Sequence, residues 1–197
     1  MFLQEWVFFA WEASWGKVLT LDQLKRRGWS LTNRCFFYLA EEESTNHILI
    51  HCTKTRVLWE LLFALFGVTW VLPCSVMETL LGWFGSFVGK KRKKTWKLAP
   101  LCLFWMVWKE RNRIAFDNKE FLIHRLKYSF LCGLWSWTKL YIDADLLSLI
   151  DFFDWLSSRW GRVRVLFSLL FCSFLPFVTY CILPVCLGSL SGLPFSN

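Results

Sequence analysis

The stretch from Thr53 to Phe66 limits what this chain can become. Val57, Leu58, Leu61, Leu62 and Leu65 recur at the intervals that lay apolar side chains along one face of a helix, and Gly67 follows as a stop. The same pattern returns elsewhere. Phe2 to Trp15 is apolar and aromatic and reads as a buried helix. Thr20 is placed to cap a short helix, with Gln23 completing a capping box and Leu19 stapling to Leu24. Lys25, Arg26 and Arg27 then meet the negative helix end before Gly28. Ser75 and Glu78 form a second capping-box pair, opening a helix toward Trp83, after which Gly82, Gly85 and Gly89 loosen the chain. A long helix is predicted over Trp96–Phe116 with Pro100 near its first turns, another over Phe121–Tyr141, and a last over Leu146–Ser157. Strand alternation is absent apart from short hydrophobic pairs near Cys35 that would suit a small hairpin, and no internal repeat is visible. The expected fold class is mainly α.

Composition narrows the partners. The 197 residues are 55% hydrophobic and include 14 Trp. Trp is bulky and carries an N–H that needs a partner, so many of them are expected at a surface or interface. The 23 Lys and Arg outnumber the 15 Asp and Glu, for a net charge of +8. That balance favours polyanions, either nucleic acid or an anionic membrane, without choosing between them. Met1 to Ala10 has no basic leader, and Glu5 interrupts its apolar run, so secretion is not expected. The eight cysteines are therefore read as intracellular thiols, to be tested as metal ligands wherever they fall near a His.

The chain divides into residues 1–118, a helical extension at 119–160, and a tail at 161–197. Val165 to Leu187 carries no charged residue, and Arg159, Arg162 and Arg164 precede it. It is long enough to cross a bilayer, which takes about 20 residues, and its basic flank would suit a cytosolic side. Pro176 and Pro184 interrupt it, each costing roughly 3 kcal/mol in a helix interior. Two readings stand for 165–187: a membrane segment, or an extension beyond the natural end of the domain.

Arg34 to Cys52 carries metal-like spacing. Cys35, His47 and Cys52 are zinc-type donors. A structural site ordinarily begins with two Cys separated by two residues, but Tyr38 stands where the second would fall, and a phenol titrating near pH 10 ligates poorly at neutral pH. Water or His51 is the candidate fourth ligand. The alternative is three unrelated residues in a helical domain. Glu41, Glu42 and Glu43 read as a solvated run.

Three stretches, FFAWEASWGKVLTLDQLKRRGW, RCFFYLAEEESTNHILIHC and TRVLWELLFALFGV, together with the run APLCLFWMVWKERNRIAF, resemble the zinc-binding domain that follows the polymerase in plant LINE-type (non-LTR retrotransposon) reverse transcriptases. The resemblance spans about Phe8 to Phe116 and fades by Arg159. It implies a small helical domain with a zinc-knuckle-like loop, followed here by the apolar tail. It implies a Zn2+ ion held by Cys35, His47 and Cys52, weakened because Tyr38 replaces the second cysteine of the motif. It also implies a role in holding RNA or DNA beside the polymerase.

The chain's own residues are compatible with that role. Lys90, Lys91, Arg92, Lys93 and Lys94 form a basic run that reads as a loop, and Arg26, Arg27, Arg34 and Arg56 surround the knuckle. Trp29 and Phe36 are candidates for stacking on unpaired bases. No phosphate loop, nucleophile elbow or HExxH motif occurs. The separated Asp143 and Asp145 after Tyr141 lack the adjacent carboxylates of a polymerase site, and His124 reads as a helix-surface or packing residue. The expectation is a retroelement-derived binding domain that is not an enzyme and takes no small-molecule substrate. The competing readings are a membrane-associated protein anchored by 165–187, or a helical scaffold without activity.

Overall fold

The computed structural model describes residues 2–85, 92–142 and 148–157. The helices are α1 (Phe2–Ser14), α2 (Leu21–Arg26), α3 (Thr53–Phe66), α4 (Val76–Gly85), α5 (Lys93–Asp117), α6 (Ile123–Ile142) and α7 (Leu149–Ser157), with a π-helical turn at His47–His51. Among the described residues there is no strand, and the segment beside Cys35 folds as turns rather than as a hairpin. The chain up to Leu156 clusters as one compact unit. The boundary drawn at 118 falls on the turn between α5 and α6, two helices that pack along each other. Among the described residues no helix is long and apolar enough to cross a membrane. The segment 165–187 lies outside them.

Glycine ends two helices as their sequences suggest. Gly28 and Gly67 take left-handed φ values of 90° and 63°. At α2 the Gly28 N–H bonds the Lys25 carbonyl at 3.0 Å and the Trp29 N–H reaches back to Leu24 at 3.2 Å, closing a Schellman cap. The N-terminus of α2 departs from expectation. Thr20 occupies the cap position but makes no capping bond, because its hydroxyl is turned to the Asp22 carboxylate and the Val18 carbonyl. The α2 end is capped from elsewhere in the chain, the Leu21 N–H donating to Glu43 Oε1 at 3.0 Å. At α4 the Ser75 hydroxyl does accept the Glu78 N–H, at 3.2 Å.

The described tryptophans divide: Trp6, Trp59, Trp83, Trp96 and Trp137 are buried, Trp11, Trp15 and Trp29 are exposed, and the others are half-buried. Burial works where the indole N–H finds an acceptor. Trp83 and Trp96 stack at 3.7 Å, and each indole N–H donates to the other's main-chain carbonyl, at 2.7 and 3.2 Å. Pro100 makes half of this exchange available. Proline has no N–H for the carbonyl four residues back, and that carbonyl belongs to Trp96, the acceptor for Trp83. Trp59 and Phe66 pack edge-on against this stack. Gly82 continues α4 rather than loosening it, and the Trp70 ring lies over it, 3.4 Å from where a Cβ would stand. On α6, a Cβ at Gly133 would fall 2.6 Å from Met106 Cε, so glycine permits the close approach of α6 to α5.

Candidate metal centre

Cys35 sits in a tight turn. Its carbonyl accepts the N–H groups of Tyr38 and Leu39, at 3.3 and 2.7 Å, with Leu39 in the left-handed region at φ 57°. Its own N–H donates to the Glu41 carbonyl at 2.8 Å, closing the loop. Phe37 anchors the turn by packing against Phe121, with ring centroids 4.9 Å apart.

His47 and Cys52 belong to the π-helical turn. Five residues apart on an α-helix, two side chains diverge by about 140°. Here the Cys52 N–H bonds the His47 carbonyl at 2.6 Å, one residue wider than an α-helical turn, which brings the two side chains toward one side. Ile48, Leu49 and Ile50 fill the interior behind them. The widened turn frees main-chain carbonyls, and α3 satisfies them: Thr55 Oγ1 donates to Ile48 at 2.7 Å and Trp59 Nε1 to Leu49 at 3.0 Å.

The donor atoms of Cys35, His47 and Cys52 all lie within 4.8 Å of one another, and all three residues are buried. The two sulfurs are 3.8 Å apart. Two thiolates on one zinc, at about 2.3 Å each, would be about 3.8 Å apart along a tetrahedral edge. His47 Nδ1 pairs with Glu41 Oε2 at 3.0 Å, while Nε2 is buried with no hydrogen-bond partner. Contact with the Cys35 sulfur pulls Cys52 down to about 7, assisted by the N–H groups of Lys54 and Thr55 at the start of α3. The same contact, with burial, pushes Cys35 well up, and the Cys35 sulfur also raises His47. An orphaned imidazole nitrogen, two sulfurs at a tetrahedral edge and a helix start facing one of them fit a zinc ion with three protein donors.

The other sequence-derived residues go to different places. Tyr38 is 48% exposed, on the rim of the turn. His51 is not a fourth ligand: its Nε2 pairs with the Cys74 carbonyl at 2.9 Å, away from the cluster. The acidic run is not uniformly solvated. Glu43 is fully buried and paired with buried Arg111 at 2.7 Å, while also capping α2. Phe36 lies under the Arg111 guanidinium at 4.8 Å, which occupies a ring read as a base-stacking candidate. Arg92 is the N-cap residue of α5 and donates to the Phe66 and Leu156 carbonyls, and Lys93 and Lys94 begin that helix rather than a loop. Lys90, Lys91, Asp143 and Asp145 lie outside the described residues. Arg26, Arg27, Arg34 and Arg56 are exposed, as is Trp29. Arg26 approaches Asp22 at 3.8 Å. His124 is exposed on α6. Cys35, Cys52, Cys74, Cys102 and Cys132 are free thiols.

Sequence reasoning missed Glu41 and Glu43. Nothing in an EEE run separates a carboxylate that pairs with a buried histidine from one that is itself buried, and the partner of Glu43 lies 68 residues away.

No curated protein and no solved structure matches this chain. Residues 2–59, which carry α1, α2, the Cys35 turn, the π-helical turn and the first half of α3, match the family model described as zinc-binding in reverse transcriptase.

Proposed function

We propose that this chain carries a zinc-binding domain of LINE-type, plant retroelement origin that holds nucleic acid and performs no catalysis. The observation that carries the reading is the convergence of Cys35, His47 and Cys52 inside the segment that the zinc-binding family model covers. Zinc organises the knuckle turn against the start of α3. The exposed stretch Arg26–Arg34, with Arg26, Arg27 and Arg34 around Trp29, supplies phosphate contacts and one stacking ring.

Zinc content of the purified chain tests the metal, with about one equivalent expected because structural zinc binding is coupled to folding. Less than about a tenth of an equivalent, with folding unchanged on chelation, rejects it. Salt-titrated binding to single-stranded RNA tests the rest. Each phosphate contact contributes about −0.7 to the slope of log affinity against log salt. Replacing Arg26, Arg27 and Arg34 together by alanine should flatten that slope by roughly 2. Affinity indifferent to salt overturns the nucleic-acid role.

A further inference from the structure

We infer that Glu41 is the positioning residue of the metal centre, bracing two of its ligands at once; the inference rests on the zinc-binding reading above. Its main-chain carbonyl accepts the Cys35 N–H at 2.8 Å, fixing the turn that presents one sulfur. Its carboxylate takes His47 Nδ1 at 3.0 Å. With Nδ1 committed, the imidazole presents Nε2, and Nε2 is the buried atom without a partner beside the two sulfurs. A carboxylate behind a ligating imidazole selects the tautomer, sets the ring's orientation and raises its basicity as a donor.

Neither neighbour can replace it. Glu43 is buried on Arg111, and Glu42 is exposed. The Glu41 side chain is 57% exposed, so as an ion pair it holds little of the fold, and its removal isolates the effect on the ligand. Substitution leaves the main-chain bond to Cys35 in place.

The test is zinc competition against a chelating dye, with the full chain and its Glu41→Ala, Glu41→Gln and Glu42→Ala variants, alongside melting of each zinc-free protein. Glu41→Ala should bind zinc about 10–100-fold more weakly. Glu41→Gln keeps an oxygen to accept Nδ1–H but loses the charge, and should fall between Glu41→Ala and the parent. Glu42→Ala should match the parent, and all four zinc-free proteins should melt alike. Long-range nitrogen–proton NMR of the zinc-loaded parent should show His47 protonated on Nδ1 and bound through Nε2.

Glu41→Ala affinity equal to the parent's overturns the inference, as does Glu41→Gln as weak as Glu41→Ala, or binding through Nδ1. A zinc-free Glu41→Ala protein that melts lower in proportion reduces the residue to a structural one. If the parent takes up no zinc, the metal reading itself fails, and the positioning role with it.

Discussion

Two polar clusters lie within a few residues of each other in the loop between α2 and α3, and they are built on opposite plans. Around Glu43 the partners are complete. Both carboxylate oxygens meet Arg111, one also takes the Leu21 N–H, and Arg111 is flanked by Phe36 and Trp108. Around Cys35 they are not. Two sulfurs face each other at 3.8 Å, and the imidazole nitrogen nearby is buried without an acceptor or donor. A buried charge with all its partners needs no ligand to stay buried, and losing one of them is costly. A buried donor set without them costs stability until an ion is supplied. The first cluster fixes the loop to α2 and α5; the second is suited to a ligand.

The largest expected effect falls on the complete cluster. Arg111→Ala leaves Glu43 buried and uncompensated, and should cost about 3–5 kcal/mol. Thermal melting with and without zinc checks this, and a loss that zinc restores would merge the two clusters into one. Next is the response to metal. Free zinc at 100 times its dissociation constant should stabilise the parent by about 2.7 kcal/mol. Cys52→Ser should abolish that increment while its chelated form melts within about 1 kcal/mol of the parent.

A smaller effect is predicted at the rim. Tyr38→Cys supplies a further thiolate on the Cys35 turn and should tighten zinc binding at least tenfold, about 1.4 kcal/mol. Unchanged affinity in competition titration would place residue 38 beyond reach of the ion. The smallest is a proton count. Zinc takes deprotonated ligands. Cys35, held high, releases a proton at neutral pH, whereas Cys52, lowered to about 7, is largely thiolate above that value. Proton release per zinc should therefore rise as pH falls through 7, with affinity falling alongside, as buffer-dependent calorimetry can measure. Release independent of pH would contradict the lowered Cys52.

The helices were legible because their information is local. Apolar spacing, Ser75 at the start of α4, and glycines at 28 and 67 act within a turn or two of themselves. Cys35, His47 and Cys52 were legible as candidate donors by residue type, which depends only on what zinc accepts. The widened turn was not, since nothing in HILIHC marks it until Thr55 and Trp59 are seen to donate to its freed carbonyls. Arg92 and Glu43 were misread for the same reason. Their partners, the Leu156 carbonyl and Arg111, are 64 and 68 residues away, and a charged side chain gives no local sign of such a pairing.

The extra residue in the turn before α3 acts as a phase setting for the whole helix. Were one of Ile48–Ile50 deleted, α3 would start one position early and rotate by about 100° about its own axis. Trp59 and Leu62, now buried, would swing sideways, while neighbouring exposed Glu60 would turn with them. One inserted residue thus ties the distance between an imidazole and a thiol to which side of the following helix meets the interior. A single-residue deletion there would disturb both ends together.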